Sequence, residues 1–525
     1  MTKTTSISAS ILLIVLCFLC WGCGLSSEEA GRMPDDMATK TVTIRLNPAE
    51  TYQTIDNFGA SDAWACQFVG NWPDDKRNAI ADLLFSTDTT AEGKPKGIGL
   101  SLWRFNIGAG SAQQGSNSGI GDEWRRAESF LQQDGTYDWQ RQQGQQWFMQ
   151  AARQRGVQKF LAFPNSPPVW LNKNGKAFAT AGKSNLAPDR YQAYAAYLLT
   201  VLKGLKDKGI DIQYLSPVNE PQWDWSDGGQ EGTPFTNEEI FGIVKELNEQ
   251  LEQESIDTKI DVAEAGKINY LYATEDRPGR GNQVYDFFNP ASPLYIGGFS
   301  RVGNVISAHS YFTTSPFPEA VEKRNQLAAA VAAVPNLEYW MSEYCILGDN
   351  EGEIKGEGRN LGIDPAIYLA RVIHNDLVVA NATAWHWWLG VSPYNYKDGL
   401  VYVDKEKTNG NYYESKLLWA LGNYSRFIRP GAVRIAAQSS DLSVDDSSLL
   451  FSAYTHPQDN QIISVIINSG IAAVGVKLEF AGIQVENLRF YQTSESDALT
   501  AGRGRAEDMF TIPPRSIITV VGNIK

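Results

Sequence analysis

The chain reads as an α/β protein, a (β/α)8 TIM barrel with a β-sandwich side domain formed by C-terminal and N-terminal strands. Three observations predict this. Short apolar segments alternate with longer helical ones eight times across residues 55–424. From 425 to 525 the pattern changes to short strands separated by turn residues. A further strand-like segment, 41–54, precedes the barrel and is free to pair with the C-terminal strands. A doubly wound open sheet is the rival architecture. No GxGxxG or GxxxxGK[ST] stands at a strand–helix turn to support its nucleotide-binding form.

Residues 1–22 read as a signal peptide. Lys3 gives a basic start, and 11–19 is an apolar run too short for a membrane span. Cys23 after Gly22 resembles a bacterial lipoprotein cleavage site, so lipid attachment at Cys23 or plain secretion is expected. Residues 23–40 read as a polar tether. Barrel strands are expected at 54–60, 99–106, 159–163, 214–219, 259–264, 305–310, 339–344 and 382–387. Between them, Tyr191, Tyr194, Ala195, Leu198, Val201, Leu202 and Leu205 share one helical face. Thr236 with Glu239 spells a capping box. Asp364 and Pro365 predict an N-cap and first position for a helix reaching 379. Side-domain strands are expected at 433–435, 449–454, 461–468, 474–480, 488–492 and 516–522.

Composition narrows the chemistry. Hydrophobic residues make up 43% and charged residues 20%, which predicts a packed core rather than disorder. A net charge of −14 argues against nucleic acid, which needs clustered Lys and Arg. Fifteen Trp and twenty-two Tyr supply flat apolar faces with polar edges, suited to the C–H faces of sugar rings and equally to an aromatic core. Two of five Cys lie in the leader and a third is Cys23, leaving Cys66 and Cys345. That is no disulfide framework and no zinc site, and no cofactor is expected.

Two acidic residues stand at strand ends. Glu220 lies in Ser216-Pro217-Val218-Asn219-Glu220-Pro221, where Pro221 ends the fourth strand. Glu343 lies in Trp340-Met341-Ser342-Glu343-Tyr344-Cys345, near the end of the seventh. Either alone reads as a loop acid or a paired buried one. Together, at the mouth of one barrel, they suit a retaining glycosidase, which needs a protonated acid and an ionised nucleophile about 5–5.5 Å apart. Burial and the charge of Glu343 should raise Glu220, while neighbouring donors keep Glu343 ionised. Arg104 and Tyr311 are the expected donors.

The chain resembles glycoside hydrolase family 30. The likeness is carried by Gln53-Thr54-Ile55-Asp56-Asn57-Phe58-Gly59-Ala60-Ser61-Asp62-Ala63, Trp103-Arg104-Phe105, Asn165-Ser166-Pro167-Pro168-Val169-Trp170-Leu171, Asn219-Glu220-Pro221, His309-Ser310-Tyr311, Ser342-Glu343 and the segment Leu421 to Gly431. The resemblance implies Glu220 as acid/base and Glu343 as nucleophile. It implies Asn219 beside the sugar's 2-hydroxyl, with Asp62, Trp170, His309, Tyr311, Trp387 and Trp388 lining the sugar subsite. Adjacent strand residues point opposite ways, so at most one of Trp387 and Trp388 faces the cleft. The loops 111–126 and 222–233 look particular to this chain.

The expected substrate is a polysaccharide, with endo-β-1,6-galactanase the favoured activity. Xylanase, β-1,6-glucanase and exo-acting β-glycosidase are the alternatives within the family. A non-catalytic surface glycan-binding lipoprotein is the alternative of another class. A metal-dependent hydrolase would use His309 and His386, but no third ligand stands at a helpful spacing.

Overall fold

A computed structural model describes residue 38 and residues 40–442 and 447–525. The expected leader 1–22 and Cys23 lie outside the described residues. The strands run in chain order as β1 (Lys40–Thr54), β2 (Asn57–Ser61), β3 (Leu102–Asn106), β4 (Lys159–Phe163), β5 (Tyr214–Leu215), β6 (Lys259–Ala265), β7 (Val302–His309), β8 (Glu338–Glu343) and β9 (Ala384–Ser392). They continue as β10 (Gly399–Val403), β11 (Tyr412–Glu414), β12 (Val433–Gln438), β13 (Leu449–His456), β14 (Gln461–Asn468), β15 (Val474–Phe480), β16 (Val485–Thr493), β17 (Thr500–Gly504), β18 (Phe510–Ile512) and β19 (Ser516–Ile524).

Strands β2 to β9 pair in parallel with their sequence neighbours, and β9 pairs with both β8 and β2. That closes an eight-stranded barrel, with β10 and β11 extending one edge. Helices such as Tyr191–Asp207 and Asn237–Gln253 cover it. The apolar face read from Tyr191 onward is buried at Tyr194, Ala195, Leu198, Val201, Leu202 and Leu205, and Thr236 and Glu239 form the expected capping box. The helix expected to start at Asp364 begins earlier, as Ile363–His374 with Gly362 at its N-cap. The Ile363 N–H donates to Glu495 Oε2 at 3.0 Å, so a distant side chain supplies the cap. The chain then passes through one π-turn, Asn375–Val379.

Strand β5 is much shorter than expected. Ser216 N–H still donates to Ala162, but Pro217 has no N–H and Glu220 adopts φ 44°. The ladder therefore stops and the chain turns out over the barrel mouth. Strand β9 is longer than expected and carries Trp388 as well as Trp387.

The side domain is one continuous nine-stranded sheet, ordered β17-β16-β19-β14-β13-β12-β1-β15-β18. Phe490 in β16 and Phe510 in β18 lie near opposite ends of that order, yet their ring centroids are 4.8 Å apart. The sheet curls over itself into a sandwich. Strand β1 sits inside it, antiparallel to β12 and parallel to β15. Strand β14 is buried on both faces, which explains its five apolar residues in eight. Ile462 and Ile466 join the sandwich interior with Ile44, while Ile463, Val465 and Ile467 join the barrel-side core. Trimming fully buried Ile44 to Ala should cost about 2–5 kcal/mol in chemical denaturation, with kcat on a cleavable substrate changed far less.

Candidate active site

The site stands at the C-terminal mouth of the barrel, where strand ends and loops converge. Glu343 closes β8, His309 closes β7, and Arg104 points from β3. Asn219 and Glu220 follow the short β5. One carboxylate oxygen of Glu220, one of Glu343 and one ring nitrogen of His309 all lie within 4.8 Å of one another. The two acids therefore meet across one cleft of about 610 Å³.

Glu343 is nearly buried and held from three directions. Arg104 Nη1 donates to its Oε2. Tyr311 OH donates to Oε1 at 2.9 Å, and His309 Nδ1 stands 3.6 Å from the same oxygen. Arg104 Nη2 donates to Asn219 Oδ1 at 2.9 Å, and Asn219 Nδ2 donates to Asn165 at 3.0 Å. The guanidinium also lies over the Phe163 ring, 3.6 Å from its centroid. Burial still raises the Glu343 carboxyl above its ordinary value, because His309 and Arg104 oppose that cost without cancelling it.

Beneath the pair lies a residue the sequence reading passed over. Glu264, in β6, is fully buried. It accepts from Ser342 Oγ at 2.6 Å and Ser216 Oγ at 2.8 Å, and lies 3.2 Å from Arg104 Nη2. His309 bridges it to the cleft, with Nε2 2.9 Å from Glu264 Oε2 and Nδ1 3.0 Å from Glu220 Oε1. Burial alone would raise Glu264, but Arg104 and then His309 outweigh it and hold its carboxyl at about 2. Burial likewise opposes a charge on His309. Glu343, Glu220 and Glu264 overcome it and bring the imidazole to about 10. The available signal was a pair of acids, Asp261 and Glu264, inside a buried barrel strand.

The structure thus brings together Glu220, Glu343, Asn219, Arg104, His309 and Tyr311, with Trp388 in the cleft wall. His309 lies beneath the carboxylates rather than on the cleft wall. Three other expected residues stand away from it. Asp62 is fully buried, and its Oδ1 accepts from Asn106 N at 2.8 Å and Gln145 at 3.1 Å. Trp170 turns its indole N–H to the Leu131 carbonyl at 3.0 Å and packs on Val169, Ala109 and Ala177. Trp387 points the opposite way from Trp388, as strand alternation requires, and donates to the Asp398 carbonyl at 2.7 Å.

Glu220, His309 and Glu343 are also the trio that could ligate a cation among the described residues. A doubly protonated His309, donating to Glu220 and Glu264, has no lone pair for a metal, so the trio suits proton chemistry better. His386 does not join it. Its Nε2 bonds Asn57 Oδ1 at 2.6 Å, and burial pushes its pKa to about 3.

The profile of O-glycosyl hydrolase family 30 matches residues 41–402. The chain belongs to that family. It is an O-glycosyl hydrolase by that membership, and its fold agrees. The endo-β-1,6-galactanase of Hypocrea rufa is 23% identical over 414 residues, covering 75% of this chain and 76% of the relative. A crystal structure of a conserved exported protein from Bacteroides fragilis is 33% identical, with a TM-score of 0.85. It covers 91% of this chain and all of that one. The catalytic domain of family 30 xylanase C from Talaromyces cellulolyticus shares the fold at 22% identity and a TM-score of 0.67, covering 92% and 100% of the two chains.

The charge cluster makes stability depend on pH in both directions. His309 titrates at about 10 when folded and 6.5 when free, so its contribution is complete below 6.5 and is lost as pH rises through 10. Glu264 titrates at about 2 when folded and 4.5 when free, so its contribution is complete above 4.5 and is lost as pH falls through 2. The thermal midpoint should fall between pH 6.5 and 10, and His309→Gln should flatten that alkaline slope. An unchanged slope in the variant would show that His309 carries no extra proton in the fold.

Proposed function

We propose that this family 30 hydrolase is an exported retaining β-glycosidase, an endo-β-1,6-galactanase, working by double displacement. The carrying observation is the approach of the Glu220 and Glu343 carboxylates within 4.8 Å, in keeping with the separation of about 5–5.5 Å at which one carboxylate can attack while the other protonates. Glu343 attacks the anomeric carbon as Glu220 gives its proton to the departing oxygen. A glycosyl ester forms on Glu343. Glu220 then takes a proton from water, which attacks the anomeric carbon and releases the β-anomer. Arg104 and Tyr311 fix the attacking carboxylate, and Asn219 stands beside it through Arg104. His309 orients Glu220 from below.

The choice of galactan is supported by the Phe58-Gly59-Ala60, Asp62-Ala63-Trp64 and Ser166-Pro167-Pro168 motifs and by similarity to the H. rufa galactanase. Export is supported by the leader sequence and by similarity to the exported B. fragilis protein, with Cys23 as the residue for a lipid anchor.

Glu343→Gln should lower kcat by about a thousandfold or more while the thermal midpoint stays near the parent's. Glu220→Gln should cut turnover of natural glycosides severely and of aryl glycosides less, because a phenolate leaves without protonation. NMR of the first product from β-1,6-galactan should show the β-anomer, and chelation with EDTA should leave the rate unchanged. Turnover of xylan or β-1,6-glucan in place of galactan would reassign the substrate. Oligosaccharide binding without product would make the protein a glycan binder.

A further inference from the structure

Three aromatic rings in the cleft have no part in the bond-making chemistry. Trp223, Trp225 and Phe312 line it on the same loops as Glu220 and Tyr311. Phe312 is 50% exposed, and its ring stands edge-on to Trp223 with centroids 6.0 Å apart. Each ring is seated on a glycine. A Cβ at Gly266 would lie 2.5 Å from Trp223 Nε1, and one at Gly232 would lie 2.4 Å from the Trp225 ring. Gly348 offers the Phe312 ring ordinary contact at 3.4 Å. Larger residues at 266 and 232 would push the indoles out of place.

The backbone of this wall is equally specified. Glu220, Trp225 and Phe312 all adopt left-handed φ values, 44°, 47° and 59°. Such angles are uncommon outside glycine, cost stability for bulky side chains, and gather at ligand-binding walls. The Trp225 indole donates to the Glu220 carbonyl at 3.0 Å, so the acid and the aromatic wall are one unit.

We infer that Trp223, Trp225 and Phe312 form a shelf for the sugar on the leaving-group side of the scissile bond, taken by its apolar C–H face. The inference rests on Glu220 as the acid. That carboxyl must reach the departing oxygen, and Trp223 and Trp225 follow it within the same loop. Trp64, Trp388 and Tyr394 line the cleft as well, with Trp64 edge-on to both other rings at 5.4 and 6.3 Å. Aromatic faces thus flank the catalytic pair in two groups, which suits a chain lying through the site and cleavage within it.

The test compares kcat/KM on a polysaccharide with kcat/KM on an aryl β-glycoside, whose leaving group has no sugar to stack. Phe312→Ala and Trp223→Ala should each lower the polymer-to-aryl ratio about tenfold, the loss of one apolar ring contact. Phe312→Tyr, which keeps a ring face, should hold the ratio within about twofold of the parent. Gly266→Ala should lower it by displacing Trp223. Transfer of the glycosyl group to an added sugar acceptor should fall in the same variants relative to hydrolysis. Equal losses on both substrates, or an unchanged ratio in both alanine variants, would overturn the shelf. A parent active on aryl glycosides and on no polymer would overturn it while leaving the glycosidase reading intact. A parent active on neither would remove both.

Discussion

Arg104 is fully buried yet charged, and the reactive end of the barrel is arranged around it. A guanidinium taken out of water is costly unless its donors are met. Here Glu343, Glu264 and Asn219 meet them, and the Phe163 ring covers one face. The partners come from β8, β6 and the loop after β5, so one side chain ties four elements of the barrel to a single geometry. His309 adds a second buried cation, and Glu220, Glu264 and Glu343 answer the two with three carboxylates. The cluster is close to balanced in charge. That balance lets acidic groups sit at bonding distance from one another inside a protein of net charge −14.

The roles within the cluster separate by depth. Glu264 has no contact with the cleft and is fixed as an anion. Glu343 reaches the cleft and carries a carboxyl that burial lifts and the cations pull back. Tyr311 and Arg104 hold its two oxygens separately, so geometry rather than side-chain freedom sets where the carboxylate points.

Much of this was legible in the residues. Apolar strand runs placed all eight barrel strands, because a parallel barrel buries both faces of every strand. Strand alternation alone decided that Trp387 and Trp388 diverge. The pairing of Glu220 with Glu343 followed from strand ends meeting at one mouth. What failed was direction after a strand ends. Asp62 directly follows β2 and Trp170 lies in the loop after β4, where no period governs the side chain, and both turn into the wall instead of the cleft. The brevity of β5 came from Pro217 and a left-handed Glu220, which an extended-strand pattern does not register. Glu264 was missed because its importance lies in partners from β3, β7 and β8, contacts that exist only once the barrel closes. Strands β11, β17 and β18 are short or polar and gave little pattern to read, while β10 falls outside the strand-then-helix alternation.

Strand β1 bears on how the molecule is made. It lies between β12 and β15, with Arg45 opposite Gln438 on one side and Glu479 on the other. A ribosome releases residues 40–54 well before their partners at 433–438 and 474–480. Throughout synthesis of the barrel this strand, with the apolar side chains of Val42, Ile44 and Leu46, has both hydrogen-bonding edges unmet, the condition in which strands recruit foreign partners. Closing the sandwich waits for β12 and β15, so strands translated late hold one translated early.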